Sequence, residues 1–394
     1  MSFNPSILQK VIEARGISTS EASYAAGMSE RKLKATLEGN NTPTKNQIVK
    51  FAERLAVPPH AFFMNDFDIA PSQIMDFRAS KAATLKYGRD THRFQHIIEV
   101  RNFLAVLYKR LDWEAPQNLF EIDLQSNPEQ FAASVSKILR LEEIRDEAKT
   151  KSDFYKLFRN RVEELGIYVL QDHNFSAEID GFALYHDSFT SNLIFVNSAK
   201  RNHGAKSFTL AHELSHIFGK RSAITNNYQY DNEIETFAND FAASLLIPRG
   251  ALIEAIDRHK FHFFEYNVAV SSATRLSNIF KTSVSAMLVR LSKLKYVDAS
   301  YPGQFIAGFG KNSFLDSQKP KGGGGKDGPD PGVIDLAFLG SRAVSVMTSA
   351  LAQGLTTSFE IFEHTGLSKK RIDGLMIVGK EKSLVKESPH AIAF

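Results

Sequence analysis

His212 and His216 stand four residues apart, with Glu213 directly after the first. On an α-helix of 3.6 residues per turn, positions i and i+4 share a face. Both imidazoles can then reach one metal ion at about 2.0–2.1 Å. Glu213 falls one step round the helix, beside the open coordination position, where a carboxylate can take a proton from a water. These are the residue types of a hydrolytic zinc site. The five-residue pattern arises by chance roughly once in fifty chains of this length, so its neighbourhood has to decide. Phe208, Leu210, Ala211, Leu214, Ile217 and Phe218 recur close to helical spacing. They predict one largely buried helix, with Ser207 as its N-cap and Gly219 as its stop. Two histidines and a glutamate in such a helix need partners, because buried polar groups are costly without them. A metal would supply one; the alternative is a pair of core histidines satisfied by hydrogen bonds.

A zinc peptidase takes three protein ligands and leaves the fourth position for water. Residues 232–247, stopped by Pro248, Arg249 and Gly250, predict a second helix. Glu235, Ala238, Asn239 and Ala242 form one stripe on it at i, i+3, i+4 and i+7. The alanines let this helix lie close against the motif helix. Glu235 then points at the metal, with Asn239 one turn deeper. Glu235 follows His216 by 19 residues, enough to end one helix, turn and start another. Asp231 and Glu233 compete as carboxylates but fall away from the alanine face. A lone Glu235 would read as a solvated carboxylate favoured by the helix dipole; after the histidine pair it reads as a ligand.

Phe208 to His216, followed by Glu235 to Ala243 and by Leu245-Leu246-Ile247-Pro248, resembles the ImmA/IrrE family of zinc metallopeptidases over about residues 150 to 300. The resemblance implies a gluzincin-like HExxH enzyme. His212, His216 and Glu235 would be its ligands, Glu213 its catalytic base and Zn2+ its cofactor, with Mn2+ able to substitute in vitro. It also implies a biological role, the cleavage of a helix-turn-helix repressor to release the genes held silent. Ser215 departs from the glycine usual at its place in the family.

The rest of the chain must position this site. With 394 residues there is room for two or three domains. A 43% hydrophobic and 23% charged composition suits an ordinary globular protein. Thirty-one phenylalanines against one tryptophan predict Phe-rich cores. The absence of cysteine excludes disulfides, thiolate zinc sites and cysteine nucleophiles, and fits a cytoplasmic location. No secretory signal opens the chain, no uninterrupted apolar run reaches spanning length, and no membrane role is expected. A net charge of +4 does not by itself argue for nucleic acid.

Residues 6 to 63 read as five short helices, with a tight Gly27-Met28 turn between the second and third. That is helix-turn-helix geometry, in which the third helix enters the major groove by its N-terminal end. Ser29, Arg31, Lys32 and Lys34 are the candidate DNA contacts. Residues 1–64 carry a net charge of +3, a mild footprint. The competing reading is a protein-interaction module with a solvated basic face. Gly27-Met28-Ser29, Leu33, Leu37-Glu38-Gly39 and Pro43 resemble the phage-repressor (XRE) helix-turn-helix family, from which Thr19 and Ala22-Ser23 depart.

Further on, His92–Leu111 and Phe131–Lys149 read as long helices. His92 and His96 read as exposed helix residues rather than a second metal pair. Three strands are expected at 167–170, 181–185 and 193–197. Leu193–Asn197 is the preferred edge strand for binding an extended peptide, although a fully buried strand fits its apolar run equally well. Tyr228, Tyr230 and His262 are the candidate oxyanion helpers. Residues 271–294 resemble a second helix-turn-helix-like unit packed beside the peptidase. Lys319 to Gly332 has no apolar residue and reads as a flexible linker.

The expected class is therefore α+β and mostly helical. Residues 1–66 would be a five-helix DNA-binding domain and 67–150 a helical connection. Residues 151–315 would form a zincin-like metallopeptidase domain with a small sheet, 316–332 a linker, and 333–394 a small helical C-terminal module. The expected partners are a protein substrate that is itself a helix-turn-helix repressor, and double-stranded DNA through residues 1–66; a homodimer is also compatible with the sequence. A DNA-binding regulator whose peptidase domain acts as a sensor is the alternative.

Overall fold

A computed structural model of the protein describes residues 3–14, 18–55, 57, 59–66, 89–113, 127–175, 179–187, 191–199, 202–226, 233–309 and 330–386. The chain divides into two compact units, Met1–Asn102 and Phe103–Phe394.

In the first unit, helices α1 (Pro5–Ala14), α2 (Thr19–Ala26), α3 (Glu30–Leu37) and α4 (Lys45–Leu55) precede a 3-10 turn at Pro59–Phe63. Ile7, Leu8, Val11 and Ile12 face inward from α1 at helical spacing. They join Leu33, Phe51, Leu55 and Phe62 in one core. The turn between α2 and α3 needs a left-handed residue, which Gly27 supplies at φ +64°. Ser29 then caps α3, its side chain accepting from the Lys32 N–H at 3.3 Å.

Helix α5 (Arg89–Arg110) leads to α6 (Pro128–Leu139), α7 (Leu141–Glu147) and α8 (Lys151–Glu164). Phe131–Lys149 is thus broken, not continuous: Arg140 takes a left-handed φ of 50° and ends one helix while starting the next. Both neighbours of that joint, Leu139 and Leu141, are buried, and the bend brings both into one core.

Strands β1 (Tyr168–Asp172), β2 (Ile179–Leu184), β3 (Leu193–Asn197) and β4 (Ala223–Asn226) form a sheet in the order β1-β3-β2-β4. β3 runs parallel to β1 and antiparallel to β2, and β4 is antiparallel to β2. Leu193–Asn197 is therefore an interior strand, buried at all five residues, and not the edge. A strand flanked on both sides and covered on its face carries a continuous apolar run, which is what Leu193-Ile194-Phe195-Val196 provides. The edges among the described strands are β1 and β4.

Helix α9 (His203–Phe218) lies on this sheet against β2 and β3. It starts a turn earlier than Ser207: Asn202 is the N-cap, accepting from the N–H groups of Gly204 at 2.9 Å and Ala205 at 3.3 Å. Ser207 sits inside the helix and donates to the His203 carbonyl. The earlier start is possible because Gly204 has no side chain where the helix meets the Thr282–Ser283 backbone. Helix α10 (Glu233–Leu246) packs against α9 and α6. Its last carbonyls are satisfied by arginines from elsewhere: Arg145 donates to Leu246 and Arg290 to Ile247, each at 3.2 Å. Helices α11 (Arg249–His259), α12 (Tyr266–Ile279), α13 (Val284–Lys293) and α14 (Tyr301–Phe309) complete this layer.

The last helices, α15 (Pro331–Ala352), α16 (Ser358–Thr365) and α17 (Lys369–Glu381), are joined to the sheet. α15 packs against β1 and α8. It kinks at Gly340, whose φ of 84° and ψ of 161° suit glycine alone. The carbonyls freed there are taken by Arg159, which donates to Ala337 at 2.6 Å and Phe338 at 3.2 Å, while Ser341 N–H donates to Glu163 at 2.9 Å. By length and composition α15 is apolar enough to cross a membrane, but 61% of its apolar window is buried within the fold. Asp335, paired with Arg371, and Arg342, stacked over Tyr108 and Tyr168, interrupt it. The described architecture is mostly helical with one small sheet, an α+β arrangement.

Candidate metal centre

The sheet and two helices bring His212, His216 and Glu235 together. α9 is buried along nearly its whole length from Leu210 to Phe218, so its polar groups must be answered locally. His212 and His216 turn toward α10, where Ala238 and Ala242 are buried and keep the helices close. Glu235 reaches over this seam with 14% of its side chain exposed. Its Oε2 lies 3.1 Å from His212 Nε2, and its Oε1 lies 3.5 Å from His216 Nε2. The two Nε2 atoms are 3.2 Å apart.

These separations bear on whether the residues fit a metal. Ligands at about 2.0–2.1 Å from a tetrahedral ion stand about 3.3–3.4 Å from one another. The two Nε2 atoms, 3.2 Å apart, stand close to the edge of such a tetrahedron; each faces a different oxygen of Glu235, at 3.1 and 3.5 Å, and one donor atom from each of the three residues lies within 4.8 Å of the others. Two imidazoles with one carboxylate are a donor set suited to zinc. Among the described residues this is the one group of three or more such side chains with that proximity.

The surrounding groups hold the donors in ligand form. Asn239 Oδ1 lies 3.2 Å from His212 Nδ1; an amide oxygen only accepts, so Nδ1 carries the proton and Nε2 presents its lone pair. Burial, reinforced by the neighbouring His212, pushes the pKa of His216 down to about 3, leaving a neutral imidazole. Burial alone would raise the Glu235 carboxyl, but the His212 and His216 imidazoles that face it hold it below its ordinary value. Ser215, the departure from glycine, donates its hydroxyl to the His212 carbonyl at 2.7 Å inside the helix.

Glu213 is fully buried on the side of α9 that faces β2. Thr209, one turn earlier, shares that side. Opposite them is Gly181, which sequence reasoning did not single out; the available signal was a glycine inside a strand pattern, a mark of close backbone approach.

Glu233 is exposed at the start of α10, while Asp231, Tyr228 and Tyr230 lie outside the described residues. His262 is exposed, with its ring beside Phe264. Ser29, Arg31, Lys32 and Lys34 are all exposed along the first turns of α3.

No curated protein and no solved structure matches the chain significantly. Residues 162–292, from the end of α8 through the sheet and the three donors to α13, match the family model of the IrrE N-terminal-like domain, peptidase family M78, so this part of the chain is similar to a metallopeptidase domain.

Proposed function

We propose that the chain is a zinc-dependent endopeptidase in which His212, His216 and Glu235 hold the metal and Glu213 is the general base. The observation that carries this reading is the convergence of three side chains, with the two Nε2 atoms 3.2 Å apart, the Glu235 carboxylate oxygens 3.1 and 3.5 Å from them, and one donor atom of each residue within 4.8 Å of the others. When bound, the metal supplies a Lewis acid that polarises the scissile carbonyl and lowers the pKa of water. Glu213 takes the proton of the attacking water and returns it to the leaving amine. Asn239 orients His212 through its Nδ1 proton. β4, at an edge of the sheet, offers backbone groups on which an extended substrate can pair.

The substrate we favour is a helix-turn-helix repressor, cut to release the genes it silences, in the cytoplasm. Incubation of such repressors, encoded beside the gene, with the zinc-loaded protein and with Glu213→Gln tests this by mass spectrometry of fragments. The expected result is cleavage by the wild type alone, with metal retained in both. Cleavage by Glu213→Gln at the wild-type rate would sink the assignment of the base.

A second reading is supported by the first unit. The tight Gly27 turn, the Ser29 cap and the exposed Arg31, Lys32 and Lys34 at the start of α3 suit a helix that meets DNA. On this reading residues 1–66 bind double-stranded DNA, and the peptidase domain serves as a sensor or is delivered to a DNA-bound repressor. A salt-dependent gel shift of the full chain on its own promoter tests it. DNA binding unchanged by Glu213→Gln fits this reading; no shift at low salt counts against it.

A further inference from the structure

The carboxylate of Glu213 has a floor made of bare backbone. Gly181 lies on β2, paired with Val196 of β3 and Thr225 of β4 beside a register shift between Ile179 and Gly181, so it is flanked by strands on both sides. A Cβ at Gly181 would stand 2.7 Å from the Phe195 carbonyl oxygen, 2.7 Å from Thr209 Cγ2 and 3.1 Å from Glu213 Oε1. Side-chain carbons essentially never approach other atoms below 3.0 Å, so α9 rests on β2 as closely as it does because residue 181 has no side chain.

The helix α9 divides its polar groups between two faces. Thr209 and Glu213, at i and i+4, meet Gly181. His212 and His216, also at i and i+4, meet Glu235 and Asn239 of α10. The two pairs are centred about 60° apart round the helix, with Glu213 about 100° from His212. The atoms nearest a side chain at position 181 belong to Phe195, Thr209 and Glu213, and none to the three donors.

We propose that Gly181 is a positioning residue for Glu213: its missing side chain sets where the base carboxylate stops, while the three metal ligands are set independently by α10. This rests on the peptidase reading and deepens it. A Cβ at 181 asks Glu213 Oε1 to give by a few tenths of an ångström, and reaction rates depend steeply on such placement because reacting groups must be held near an attack distance.

The test needs no knowledge of the substrate. Acetohydroxamate chelates a metal through its two oxygens and passes its hydroxyl proton to a neighbouring carboxylate, so its affinity reads both the metal and the base. Full-length wild type, Glu213→Gln and Gly181→Ala are loaded with Co2+, and metal content, visible spectrum and acetohydroxamate affinity are measured. Gly181→Ala is expected to hold one cobalt with the wild-type spectrum. Its acetohydroxamate affinity is expected to fall about tenfold or more, into the range of Glu213→Gln, as for loss of one hydrogen bond to a charged group. Thr209→Ala alone is expected to bind as wild type does. Paired with Gly181→Ala it removes one of the contacts the new methyl meets, and the folded double variant is expected to keep the metal and the reduced affinity. Wild-type affinity in either folded Gly181→Ala protein would overturn the proposal, as would loss of cobalt together with affinity. Failure of the peptidase reading looks different: the wild type takes up no cobalt, or Glu213→Gln binds acetohydroxamate as tightly as wild type.

Discussion

Asn239 Oδ1 stands 3.2 Å from His212 Nδ1, so an amide on one helix sets the tautomer of a histidine on the next. Partners of this kind typically contribute 10–100-fold to metal affinity. Asn239→Ala is accordingly expected to weaken zinc binding by about 10–100-fold, read by competition with a chromophoric chelator. His212→Ala and Glu235→Ala each remove one of three donors and are expected to abolish stoichiometric zinc. An Asn239→Ala protein with unchanged affinity would show that the contact does not orient the ligand.

Gly340 is the point at which the C-terminal helices are fastened. A Cβ there would fall on the Glu163 carboxylate and within 2.9 Å of the Val169 carbonyl, and the backbone conformation is one that other residues avoid. Gly340→Ala is expected to cost roughly 2 kcal/mol or more in denaturant unfolding. Hydrogen exchange should rise over residues 331–352 before it rises in α9. Exchange that rises uniformly instead would mean that α15 has no local attachment of its own.

Glu163 beside that kink predicts a pH dependence. Burial pushes its pKa up to about 7, against the opposing pull of Arg159 and of the Ser341 and Arg342 backbone. An unfolded glutamate titrates near 4.5, so between about 4.5 and 7 the folded chain holds the proton that the unfolded chain has released. This contribution is most favourable below the unfolded value, and stability is lost as pH rises through the folded one. Glu163→Gln keeps an acceptor for Ser341 but removes the titration. The wild type is expected to lose roughly 1–3 kcal/mol between pH 5 and 8 relative to Glu163→Gln. Parallel stability curves for the two proteins would rule out Glu163 as the source.

Arg31 and Lys34 are exposed on α3, clear of the buried Leu33 and Thr36. If the first unit meets DNA, Arg31→Ala and Lys34→Ala are expected to weaken binding without unfolding the helix. A residue on a phosphate should lower the slope of log affinity against log salt by about one, equally on all sequences. A residue on a base edge should relax preference at one position, by about 1–3 kcal/mol. Gel shifts across a salt series separate the two, and unchanged shifts for both variants would place the DNA contact elsewhere.

The local parts of the site were legible because they depend on helical periodicity. His212 and His216 share a face by spacing alone, and the alanines beside Glu235 marked the side of its helix that packs closely. Local signals failed at the start of α9: Ser207 reads as a cap by residue type, whereas Asn202 caps the helix, which starts earlier where Gly204 meets Thr282–Ser283 far along the chain. The joint at Arg140 was hidden for a similar reason, since nothing in an arginine announces a left-handed conformation.

Sequence alone therefore determined which side chains could act as donors and base, because residue type and a period of 3.6 are local properties. Tertiary structure decided that the donor atoms converge within 4.8 Å of one another, that Leu193–Asn197 lies inside the sheet while β4 lies at its edge, that Gly181 lies under Glu213, and that α15 lies along β1. Strand order and the approach of one helix to another are settled by contacts between residues distant in the chain, and a strand buried on both sides reads the same whichever neighbours cover it.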